Sequence, residues 1–148
     1  MKKFIFSLQG LLNARAAQKE AIEHELRAAQ SKLLGEEKLL QEICRQIEQI
    51  LTTPMPMQAP TGTDFLLRER YLNATKRRRK EQQVRREAAA AAVKVCLSKL
   101  RLADIELKKM EKLQGREREE WSREYQREEQ KINDEIGMSG NFYRELPS

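Results

Sequence analysis

Seven basic residues and one acid lie between Lys76 and Arg86, a local charge of +6 that equals the net charge of all 148 residues. Basicity is therefore one patch, and the rest of the chain is neutral overall. Lys and Arg clustered this densely release counterions from phosphates, which makes a polyanion one partner such a run can hold. No aromatic side chain interleaves the run to stack on bases. An acidic protein surface or a solvated helix face is the preferred reading, and nucleic acid is not the expected partner.

The other reactive side chains point away from catalysis. A nucleophile, a base and an orienting group must converge in a concave site. Here the single histidine, His24, falls on the outer side of a helical pattern. Carboxylates are abundant, but they alternate with Lys and Arg at helix-face spacing. No Gly-rich phosphate loop is present. Cys44 and Cys96 form no Cys-x-x-Cys pair, which excludes a zinc knuckle of the usual spacing, and a reducing compartment fits them best. The expectations are no enzyme activity, no cofactor and no metal.

The elements that must carry these residues are helical. With 35% charged and 5% aromatic residues and a mean hydropathy of -0.79, the composition is that of long helices with little globular core. Stepping alternately four and three residues from Leu8 reaches Leu12, Arg15, Lys19, Ile22, Leu26, Ala29, Leu33, Glu36, Leu40, Ile43, Ile47 and Ile50. Ten of these thirteen are apolar. A mean step of 3.5 keeps one stripe of an underwound helix against a partner, so a coiled-coil seam is predicted within a helix from about residue 4 to 51. The opening Lys2-Lys3, the apolar residues after it and Ala14-Arg15-Ala16 outline a signal peptide. Ser7, Gln9 and Gly10 break its apolar run, however, and the seam continues in phase beyond it. No stretch approaches the roughly 20 apolar residues that span a bilayer, so no membrane insertion is expected.

Pro54, Pro56, Pro60 and Gly62 then fill a loop predicted over 52–63. A longer second helix is predicted over 64–136, capped by Thr63 or Asp64 and ended by Gly137 and Gly140, with a tail over 137–148. Its seam is expected to open on Leu67, Tyr71 and Thr75 and to continue through Val93, Leu97, Leu100, Leu107 and Met110, with Val95, Leu102 and Ile105 widening it. The fold class is all-α: a long antiparallel two-helix coiled-coil hairpin in one domain. With Leu51 beside Asp64, residue i should meet residue 115 minus i within a turn. That sets Glu36 against Arg79 and Glu37 against Arg78, and leaves Asp104 as the one anion near Arg15 and Lys19. Cys44 and Cys96 fall far apart and should be free thiols. The second helix should outrun the first after residue 111, leaving a charged overhang around Trp121, Tyr125 and Ile132, with Gly115 as a bend.

The pattern Phe4-x-Phe6-x-Leu8-Gln9-x-Leu11-Leu12-x-x-Arg15-x-x-x-Lys19-Glu20 resembles the start of the FliJ family of flagellar export proteins. Length, the loop after about fifty residues and the closing Lys131-Ile132-Asn133-Asp134-Glu135-Ile136 agree with it. The resemblance implies a hairpin similar to the shaft of rotary ATPases, standing in the pore of the hexameric flagellar export ATPase. It also implies contact with the transmembrane export gate and with export chaperones, at the cytoplasmic face of the inner membrane under the flagellum. A related injectisome stalk stays open. For the ATPase ring it nominates Arg15, Lys19, Arg116, Arg118, Trp121 and Tyr125. Family gate contacts lie near the loop, which nominates Tyr71, Leu72 and Thr75 by position alone; the run Lys76, Arg77, Arg78, Arg79 and Lys80 beside them departs from any fixed family pattern and adds a patch for the gate or an acidic partner.

Overall fold

The computed structural model describes residues 3–55 and 61–145, with side chains as far as residue 140. Residues 56–60 of the expected loop and 146–148 of the expected tail lie outside them. The chain is all-α: helix α1 spans Gln9–Thr52 and the longer α2 spans Gly62–Glu145. Contacts divide the chain into two units, one of residues 1–19 with 103–148 and one of residues 20–102.

Each helix end is set by local chemistry. Phe4 to Phe6 are not helical, and α1 starts five residues later than expected, after a turn closed by Gln9 N–H donating to the Phe6 carbonyl at 3.1 Å. At its far end the Thr52 hydroxyl donates to the Glu48 carbonyl at 2.8 Å, and the Gln49 carbonyl accepts both from the Thr53 hydroxyl at 2.5 Å and from the Thr53 N–H at 2.9 Å. Pro54 disfavours helical backbone at Thr53, and α1 stops at Thr52. The cap of α2 is Thr61, one turn ahead of the expected start. The Asp64 N–H donates to the Thr61 hydroxyl at 3.3 Å, and the Asp64 carboxylate accepts from the Thr61 N–H at 2.9 Å and from its hydroxyl at 3.0 Å. This is a reciprocal capping box with Asp in the return position. These bonds from Thr61, the backbone one first, hold the Asp64 carboxyl below its ordinary range. Neither Gly137 nor Gly140 ends α2, which continues to Glu145, and Gly115 adopts no left-handed backbone. Glycine inside a helix costs only about 1 kcal/mol, and no proline follows until Pro147.

In the unit 20–102 the two helical arms run antiparallel. Arg68 Nη2 donates to the Ile50 carbonyl at 2.5 Å, Gln82 Nε2 donates to the Glu36 carbonyl at 3.0 Å, and Arg86 pairs with Glu37 at 3.6 Å. Every seam position expected from Ile22 to Ile50 is at least half-buried, with Ile43 and Ile47 fully so. On α2 the seam runs instead through Arg68, Leu72, Thr75, Arg79, Gln82, Ala89, Val93, Cys96 and Leu100. Leu67, Tyr71, Val95, Leu97 and Leu102, expected in the stripe, are exposed. The opening of the α2 seam is polar, so apolar spacing selected the wrong phase there.

The pairing of Glu36 with Arg79 is not formed. Glu36 is held by Gln82, whose amide donates to both its carbonyl and its carboxylate, and Glu37 meets Arg86 rather than Arg78. Side chains lean toward their own helix N-terminus. Across an antiparallel pair, long side chains therefore meet from residues that have already passed each other, and counting backbone positions places them too early. Cys44 is exposed and Cys96 half-buried, both as free thiols.

In the unit of 1–19 with 103–148, Lys19 Nζ lies 3.0 Å from Asp104 Oδ1, and Gln114 Nε2 donates to Gln9 Oε1 at 3.1 Å. Phe6 is the buried apolar residue of this unit.

Three stability changes follow. Thr61→Ala should lower unfolding free energy by about 1 kcal/mol in urea melts followed by circular dichroism. Because the Asp64 pKa is depressed, its contribution is present above the unfolded carboxylate range and lost as pH falls through the folded value. Asp64→Asn should remove that part of the acid dependence. Gln46 Oε1 is buried with no hydrogen-bond partner among the described residues. Gln46→Leu should raise the melting temperature, since an unmet buried acceptor costs about 1–3 kcal/mol.

Candidate partner-binding surfaces

Of the residues nominated for the ATPase ring, the structure gathers the aromatic ones. The non-helical start of the chain lays Phe4 against Trp121, ring centroids 6.0 Å apart and tilted by 56°, and Trp121 stacks on Tyr125 at 5.4 Å and 22°. Extended backbone advances about 3.3 Å per residue against 1.5 Å in a helix, so a few residues reach far along α2. The expected overhang therefore begins later, after Tyr125 rather than after residue 111. Residues 126–140 are all exposed. The Tyr125 phenol donates to Glu129, one turn on, and the carboxylate beside it raises its pKa.

Lys19 does not join this cluster. It is bound to Asp104, which also takes Lys108 at 2.9 Å, and the two ammonium groups, Lys108 first, hold the Asp104 carboxyl below its ordinary range. Seventeen residues of α2 separate Asp104 from Trp121, roughly 25 Å of helix. Arg15 is half-buried with its guanidinium on Gln18 at 3.3 Å, while Arg116 and Arg118 are exposed. The predicted set thus resolves into an aromatic clasp and a separate ion-pair cluster.

At the loop end, Tyr71 is exposed and Leu72 half-buried, but Thr75 is only 1% exposed. Its hydroxyl donates to the Tyr71 carbonyl at 2.8 Å. Thr75 is therefore a seam residue, which corrects its nomination as a surface contact. Lys76, Arg77, Arg78 and Lys80 are exposed, and Arg79 sits half-buried in the seam. Sequence reasoning missed the groove beside them. Ile50, Thr53, Pro54, Met55, Arg68 and Tyr71, with Gln46 and Gln49, line a mainly apolar groove of about 450 Å³. Its signal was available in Pro54 and Met55, apolar residues in a connection that needs none. No cluster of three or more candidate metal ligands occurs among the described residues, and none of their helices is long and apolar enough to cross a membrane.

The arrangement defines a two-helix antiparallel coiled coil whose chemistry lies in its exposed faces. A family model described as the flagellar FliJ protein matches residues 4–145. The chain belongs to the FliJ family, and is thus a flagellar, export-related protein of a non-catalytic family. No curated protein and no solved structure matches it.

Phe4→Ala should uncover Trp121, the only tryptophan. Its emission should shift to the red, with a loss of about 0.5–1.5 kcal/mol beyond the lost burial if the ring pair contributes as such pairs do. Unchanged emission would remove the clasp from the account.

Proposed function

We propose that this protein is the central stalk of the flagellar export ATPase hexamer and an adaptor to the transmembrane export gate and to export chaperones. Membership of the FliJ family over residues 4–145 is the observation that carries this reading. The aromatic clasp of Phe4, Trp121 and Tyr125, with Arg116 and Arg118 on the same helix, is the surface assigned to the ATPase ring. The loop-end groove with Tyr71 and the exposed basic run is the surface assigned to the gate. Its working place is the cytoplasmic face of the inner membrane at the flagellar base. Shape and charge do the work, and no group in either surface is asked to transfer a proton or form a bond.

Mixing the purified protein with the export ATPase of the same organism should promote hexamers by light scattering and raise ATP hydrolysis. Trp121→Ala should weaken the effect by on the order of tenfold, about 1.4 kcal/mol. No change in assembly or hydrolysis with the unaltered protein would sink the stalk reading. The exposed basic residues support nucleic-acid binding as the alternative. That reading requires salt-sensitive affinity for duplex DNA that disappears when Lys76, Arg77, Arg78 and Lys80 are changed to Gln.

A further inference from the structure

Within the unit 20–102, α2 carries a second apolar repeat that α1 does not cover. Val84, Ala88, Ala91, Val95 and Leu102, with Ser98 as the one polar member, recur at steps of four and three. All six are exposed, Val84 at 62%, Val95 at 55% and Leu102 at 65%. All but Ala88 lie two residues on from the intramolecular seam positions Gln82, Ala89, Val93, Cys96 and Leu100, and Ala88 lies two on from Arg86, the partner of Glu37. Two residues are about 200° of helix turn, so this stripe faces away from α1. A solvated helix face has no need of a 3.5-residue apolar period; a face that receives another helix does.

The flanks of the stripe say which helix. In heptad terms its e and g positions are Arg85, Glu87, Ala92, Lys94, Lys99 and Arg101, four cations against one anion, all exposed. Like charges at these positions repel a second copy of the chain and attract a helix with acidic flanks. The side chains of the stripe are small at its centre, at Ala88 and Ala91. Small residues here leave room for large apolar knobs from the incoming helix. A lipid surface is poorly served, because the stripe has no Trp or Phe and a single Leu, Leu102, to bury into an interface.

We propose that this face of α2 seats one helix of a partner protein, a helix with its own 3.5-residue repeat of large apolar side chains flanked by Glu and Asp. The proposal stands on the exposed repeat and its charged flanks, and does not depend on the ATPase-stalk reading.

The test uses the full chain and three fluorescent helical peptides of about four heptads, the length of the stripe with a margin. One has Leu and Ile in its seam and Glu at e and g. The second keeps the seam with Lys at e and g. The third keeps Glu with Ser in the seam. Fluorescence anisotropy should show binding of the first, falling with salt, and at least about tenfold weaker binding of the other two. Val95→Asp with Leu102→Asp should abolish it, whereas Leu34→Asp, at an exposed position of α1, should not; unchanged circular dichroism shows that both variants fold. Equal binding of the Ser-seam peptide reduces the site to charge attraction and overturns the proposal. So does binding that survives the double substitution, or a dimer in light scattering that the double substitution splits, which would give the face to a second copy.

Discussion

The unit 20–102 depends on one narrow line of contact between α1 and α2. A two-helix pair has no interior volume, only a seam, and few side chains along it are wholly removed from water. In the unit 20–102 these are Ile43, Ile47, Ala89, Thr75 and Gln82. Two of these five are polar, and a third, Ala89, is small. Hydrophobic burial at about 25 cal/mol per Å² therefore acts through many half-covered residues, and the fit of each matters less than the phase they share.

Polar seam residues fix that phase. Gln82 spends its amide on Glu36, Arg68 reaches the last carbonyls of α1, and Thr75 closes its hydroxyl on its own helix. Each satisfies a group that would otherwise be buried unmet, and the first two do so across the pair, where a slip by one turn would break them. These bonds add little net free energy, but they exclude neighbouring registers that Leu and Ile would accept almost as well.

The same division explains what could be read from the chain. Helix α1 has a single apolar phase, and its stripe from Leu12 to Ile50 could be written down from spacing alone. Helix α2 carries two phases, and only the position of α1 tells which is inside. Apolar character favours Leu67 over Arg68 and does not separate Tyr71 from Leu72, yet the seam takes Arg68 and Leu72 and continues through the polar Thr75, Arg79 and Gln82. Glu36 was recognised as a seam misfit needing a partner, but the tilt of side chains along an antiparallel pair moved that partner from Arg79 to Gln82. The aromatic clasp was half visible. Trp121 and Tyr125 stand out by type and spacing, but spacing alone sets their cover, Phe4, in the first turn of a helix, where its reach is too short.

Beyond Tyr125 α2 goes on with every described side chain in water. Its backbone is nonetheless already ordered as helix, supported by charged and amide neighbours one turn apart, as between Gln130 and Asp134. The conformational entropy that a flexible terminus surrenders on docking, about 1–2 kcal/mol per residue, has here been surrendered beforehand. A surface that closes over Ile132 and Ile136 meets a rigid ridge, and the free energy of that contact goes into affinity instead of folding.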